Sequence, residues 1–131
     1  MKIDERRIWA ARGLIGAVFF FNVQCALLFL SVPQDYAPSF EVSGPVGEGM
    51  LRGMGILFLM WNVPYAVALW NPHAHRKSLY EAIAMQAIGV VGESILLLTF
   101  PAGYALIQDS ITRFILFDGL GLILLLLASR L

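Results

Sequence analysis

Apolar residues in this chain come in long, nearly unbroken runs instead of a short amphipathic rhythm. Four runs cover residues 8–31, 48–70, 79–100 and 110–129, the first through GLIGAVFFFNVQCALLFL and the last ending in ILLLLA. Each has about the 20 residues that a helix needs to cross a bilayer. A segment inside hydrocarbon must satisfy its own backbone polar groups, so each run predicts a helix. The ten-residue alternation of a membrane barrel strand is absent. The fold expected is all-α and integral to a membrane, with residues 1–131 forming a single four-transmembrane-helix antiparallel bundle.

The breaks between runs differ in kind. The first connection holds Pro33, Pro38, Gly44, Pro45 and Gly47 and reads as an ordered or semi-ordered loop, a candidate lid. The second, NPHAHRKS, is short and predicts a tight helical hairpin. Inside the second run, Pro64 removes one N–H and crowds the preceding turn, so a kink is expected. The carbonyl of Met60 is thereby freed to face a cavity lined by Trp61 and Tyr65.

Composition agrees on the solvent. Of 131 residues, 59% are hydrophobic and 14% charged, against about 25% charged in soluble domains, and the mean hydropathy is +0.75. The net charge is zero, but its distribution is uneven. Lys2, Arg6, Arg7 and Arg12 open the first span, Arg76 and Lys77 lie in the second connection, and Arg130 follows the last span. The first and third connections contain no Lys or Arg. The positive-inside rule therefore places both termini in the cytoplasm. Trp9, Trp70 and Tyr80 fall at the inner interface, and Tyr36 and Tyr104 at the outer one. The basic start resembles a secretory leader, but the apolar run is too long and no A-x-A site follows, so an uncleaved helix is expected. The membrane would be the plasma membrane, the inner one in a bacterium. No basic stripe with interleaved aromatics points to nucleic acid. Cys25 stands alone and reads as a small buried hydrophobe.

The ionisable groups inside the spans carry the functional question. Arg52, Glu93, Arg113 and Asp118 lie within apolar runs, where an Arg or Asp costs about 2.5–3.5 kcal/mol at a helix centre. At about 1.5 Å per residue, Arg52 and Arg113 sit about 6 Å from the outer ends of their spans, Glu93 about 10 Å, and Asp118 and Asn22 about 13 Å. All belong to the outer half of the membrane, which allows a polar pocket under the first connection. Shared helix faces support that convergence: Val18, Asn22 and Cys25; Arg52, Gly55, Leu59 and Asn62; Ala82, Gln86, Gly89 and Glu93; Phe114, Asp118, Gly121 and Leu125. Glu93 and Asp118 come to similar depth on sequential helices, where two bare carboxylates repel. Either one holds a proton or an arginine lies between them, with Arg52 the expected bridge. Arg113 is about 140° from Asp118 around its helix and either joins the ion pairs or snorkels to the interface.

Three readings stay open for these groups. As internal glue, Arg52 and Arg113 pair with Glu93 and Asp118, while Asn22, Gln24, Asn62 and Gln86 add interhelical hydrogen bonds. As a ligand site, Asn22, Arg52, Trp61, Asn62, Tyr65, Glu93 and Asp118 bind a small amphipathic molecule, lipid or quinone-like. As an active site, Glu93 or Asp118 acts as acid or base. No catalytic residue can be assigned, and the sequence implies no cofactor. His73 and His75 lack the carboxylate or cysteine neighbours of a metal site, so no metal is expected either. Glu81 is expected to pair with Arg76 or Lys77. The pairs Gly13/Gly16, Gly53/Gly55, Gly89/Gly92 and Gly119/Gly121 are expected to let helices approach closely.

Glu48 entering the second span ahead of Leu51-Arg52-Gly53-Met54-Gly55, the basic hairpin, and Ile88-Gly89-Val90-Val91-Gly92-Glu93 resemble the DoxX-like superfamily of small bacterial four-helix membrane proteins. The resemblance covers most of the chain in layout and few residues in detail. That family is functionally mixed, with some members linked to quinone-coupled or redox systems, so it assigns no catalytic residue. Small multidrug transporters differ, because their hallmark carboxylate lies in the first helix, where this chain has Asn22 and Gln24. The expected partners are the lipid bilayer and either a larger membrane complex or further copies of this chain. The function expected is that of an accessory or scaffold membrane subunit, with an amphipathic-molecule binder or transporter and an intramembrane enzyme as alternatives.

Overall fold

A computed structural model describes residues 3–131, so Lys2, part of the basic N-terminal cluster, lies outside the described residues. The elements are α1 (Ile3–Ser31), α2 (Pro33–Tyr36), a 3-10 turn (Ala37–Phe40), α3 (Gly44–Trp61), α4 (Val63–Trp70), α5 (Arg76–Thr99) and α6 (Ala105–Ser129). Four helical stretches are long and apolar enough to cross a membrane, with α3 and α4 together forming the second. The protein is all-α, in keeping with an integral multi-pass membrane protein.

The spans close into a ring in chain order. α1 packs on α3, α4 and α6, α5 packs on α6 and α4, and α3 and α5 share no substantial interface. The half of the bundle nearer the connection between α4 and α5 is sealed by Ala11, Ile15, Val18, Tyr65, Ala68, Leu79, Ala82, Leu125 and Ala128. Polarity is inverted relative to a water-soluble bundle. The buried polar residues are Asn62, Gln86 and Ser110, while Leu98, Trp70, Ile88 and Leu116 are 85%, 81%, 72% and 67% exposed. In water those side chains would forfeit about 25 cal/mol per Å2 of apolar surface left uncovered. Acyl chains around a membrane-spanning bundle would remove that cost.

Pro64 divides the second span as expected. α3 ends at Trp61 and α4 begins at Val63, and the Asn62 side chain donates from Nδ2 to the Phe58 carbonyl at 2.6 Å. The opened turn is thus occupied by Asn62. Trp61 is half exposed and packs beside Phe58, whereas Tyr65 is buried, so the two do not line one cavity.

The first connection is more structured than a loop. α2 and the 3-10 turn lie across the end of the bundle, with Phe29, Ala37 and Leu51 buried among Cys25, Tyr36, Phe40, Val42, Met54, Phe58 and Phe114. Phe40 reaches both Phe29 and Phe114. Two hydrogen bonds pin it to α6: Ser110 Oγ donates to the Ser39 carbonyl at 2.6 Å, and the Ile107 amide donates to Glu41 Oε2 at 3.3 Å. Glu41 takes a left-handed conformation, φ 56°, and its carboxylate supplies an acceptor and a negative charge to the first turn of α6, where amides lack partners. What lies beneath this connection is an aromatic cluster, in place of the expected polar pocket.

Candidate functional site

A hydrogen-bonded chain runs across α4, α5 and α6. The Tyr65 hydroxyl donates to Gln86 Oε1 and approaches the Ala82 carbonyl at 3.2 Å. Gln86 Nε2 donates to Asp118 Oδ1 at 3.0 Å. Asp118 Oδ2 lies over Gly89, so close that a Cβ at that position would overlap it. Glu93 lies one turn further along the same stripe of α5. Its Oε2 is closed off from solvent and no N–H or O–H donor reaches it. Separately, Asn22 Nδ2 donates to Asn62 Oδ1 at 3.1 Å, joining α1 to the break in the second span.

The helix faces explain which groups meet. Gln86, Gly89 and Glu93 recur at i, i+3 and i+7, one stripe of α5. The absence of a side chain at Gly89 makes the room that Asp118 fills. Gly121 does the same one turn along α6, where a Cβ would stand 2.5 Å from Gln86 Nε2 and 3.2 Å from Val18 Cγ1. Gln86 had a legible signal, its place on the Glu93 face, but its role as the link between Tyr65 and Asp118 needed the tertiary structure.

The arginines are elsewhere. Arg52 is exposed and pairs with Glu48 at 3.8 Å, the one salt bridge among the described residues. It does not bridge Glu93 and Asp118. The buried stripe of α3 runs through Gly47, Leu51, Gly55 and Asn62. Leu51 is about 20° from Asn62 around the helix, while Arg52 is about 80° away, so of the expected face Gly55 and Asn62 are buried while Arg52 and Leu59 are exposed. Arg113 is exposed and pairs with neither carboxylate. At the connection between α4 and α5, neither Arg76 nor Lys77 forms a salt bridge with Glu81. Arg76 Nη2 donates to the Ser129 carbonyl at 2.9 Å and its guanidinium lies near the Tyr80 ring, where it satisfies a terminal carbonyl of α6. His73 and His75 belong to no metal-binding group among the described residues.

Of the seven residues proposed to bind a ligand, the structure therefore joins Asn22 to Asn62, links Tyr65 through Gln86 to Asp118, sets Glu93 on the same stripe as Gln86 without a bond to the chain, and leaves Arg52 and Trp61 exposed. Two shallow surface depressions are apolar grooves, one lined by Ala66, Val67, Trp70 and His75, the other by Ala87, Ile88, Val91 and Gly92. Neither is lined by any of the seven. No family model matches the chain, and no curated protein or solved structure matches it either. The DoxX-like resemblance rests solely on the residues quoted for it.

Proposed function

We propose that this chain is an accessory subunit of a membrane assembly, with both termini in the cytoplasm, that acts through its outer helix faces. The observation that carries this reading is that five interior polar side chains bond to one another. Tyr65, Gln86 and Asp118 each direct polar atoms at the next member of the chain, and Asn22 and Asn62 do likewise. The polar interior thereby holds the helices together, at roughly 0.6 kcal/mol per interhelical bond on average. What remains for interaction is apolar surface. The groove of Ala87, Ile88, Val91 and Gly92 lies on α5, whose outer half has no cover from α3. A Cβ at Gly92 would meet nothing within 4 Å, so another helix can approach its backbone closely.

The occupant proposed for this groove is a transmembrane helix of another chain. A photo-reactive phenylalanine analogue at Val91 should give a discrete protein adduct in native membranes, and the same analogue at the lipid-facing Leu116 should not. The adduct mass separates a second copy from a different subunit. Lipid adducts alone at both positions would overturn the reading in favour of a ligand-binding bundle.

A further inference from the structure

Gln24 interrupts the apolar exterior of α1. Asn22, Asn62 and Gln86 find partners inside the bundle. Gln24, expected to join them as internal glue, is exposed, and its carboxamide meets no hydrogen-bonding partner among the described residues. It lies seven residues before Ser31, the last residue of α1, so about 10 Å inside the span. At that depth no water serves its N–H and C=O groups, and leaving them bare in hydrocarbon is costly. A lysine or arginine stem reaches back to the headgroups from such a position, whereas the shorter glutamine stem does not. The carboxamide therefore calls for a partner from outside the chain.

The face around it suits a second helix. Gly13, Phe20, Gln24, Leu27 and Ser31 recur at helical spacing along one stripe of α1, and all are exposed. Phe20 and Leu27 stand one turn to either side of Gln24 and give the amide apolar walls. Farther along, a Cβ at Gly13 would meet nothing within 4 Å, so the backbone there is open to close approach. We infer that this stripe is a homodimer interface, in which α1 packs in parallel on α1 of a second copy and the two Gln24 carboxamides bond to each other across the axis. A carboxamide carries both donor and acceptor, so it complements its own copy. Two copies inserted with the same orientation are related by a two-fold axis along the membrane normal, and each residue near that axis meets itself at equal depth. A different chain would need a polar group of its own at the depth and rotation of Gln24. The inference rests on the membrane-spanning reading and not on the α5 groove. α1 and α5 share no substantial interface, so the pairing leaves Val91 and Gly92 free for another helix.

Disulfide cross-linking in native membranes tests the pairing. In a Cys25→Ala background, Phe20→Cys and Leu27→Cys should each give a disulfide-linked dimer on mild oxidation, and Leu116→Cys, on the exposed side of α6, should not. Gln24→Leu keeps the volume and removes donor and acceptor. It should lower the association constant, measured by sedimentation in mild detergent, by about threefold or more, the worth of one average interhelical hydrogen bond. Gln24→Asn retains an amide and should recover part of the loss. Because Gln24 bonds to no interior partner, both variants should melt with the wild type, which separates association from folding. Wild-type association by Gln24→Leu, or no dimer from either Phe20→Cys or Leu27→Cys, would overturn the interface. Cross-linking only to a chain of different mass would do the same.

Discussion

Gln86 is the side chain on which the interior turns. It accepts from Tyr65 and donates to Asp118 from a position that is 3% exposed. Gln86→Leu keeps the volume and deletes both bonds, leaving Asp118 Oδ1 without a donor and Tyr65 with only the long approach to Ala82. A buried group left unsatisfied costs about 1–3 kcal/mol, and unfolding titrated with denaturing detergent should show a loss of that size. Arg52 gives the opposite expectation. Its side chain is about half exposed and its partner Glu48 lies four residues back on the same helix. Such pairs contribute little, so Arg52→Ala should stay within about 0.5 kcal/mol of wild type in the same titration. A larger loss for Arg52→Ala than for Gln86→Leu would show that the surface arginine, and not the interior amide, organises the bundle.

At the scale of elements, the paired glycines divide in function. Gly16, Gly55, Gly89 and Gly121 face a neighbouring helix, whereas nothing lies within 4 Å of a Cβ at Gly13, Gly53, Gly92 or Gly119. At Gly55, α1 and α3 approach closely, since a Cβ there would stand 2.8 Å from the Ala26 carbonyl oxygen and 3.0 Å from Leu30 Cγ. Backbone cannot yield as a flexible side chain can. Gly55→Ala should therefore destabilise by about 1–3 kcal/mol, the usual cost of overpacking. Gly53→Ala, two residues away, meets open space and should be neutral or stabilising by up to about 1 kcal/mol through helix propensity. Equal detergent-unfolding midpoints for the two variants would remove the close contact of α1 and α3 from the account.

At the scale of the molecule, the basic residues and the packing bear on different questions. The first connection, free of Lys and Arg, is folded as α2 and the 3-10 turn against α6. The hairpin at the other end carries Arg76, which holds the last turn of α6. Under the proposed orientation the first connection is extracellular or periplasmic and the hairpin is cytoplasmic. In a background where Cys25 is replaced by Ala, a cysteine at exposed Ser43 should react with a membrane-impermeant thiol reagent added to intact cells. A cysteine at exposed His73 should react only after the membrane is opened. The reverse pattern would invert the bundle, while leaving the internal hydrogen-bonded chain as it is.

The sequence alone determined the four long apolar spans and the stripes on α5 and α6, because long apolar runs can satisfy their backbones only internally and because helical spacing maps residues onto faces. The stripe of Gln86, Gly89 and Glu93 was legible in that way, as was the break at Pro64. Rotation of α3 was not. Gly55 and Asn62 belong to both the expected and the buried face, but Leu51 in place of Arg52 turns the centre of that face by about 50°, and in apolar surroundings the sequence carries little contrast with which to choose. Only the tertiary structure decided it, by seating Leu51 in the aromatic cluster and Gly55 against α1. The same holds for the first connection. Its prolines and glycines announce turns, but its burial depends on Phe29, Phe58 and Phe114 arriving from three other helices, a convergence set by packing between segments distant in the chain.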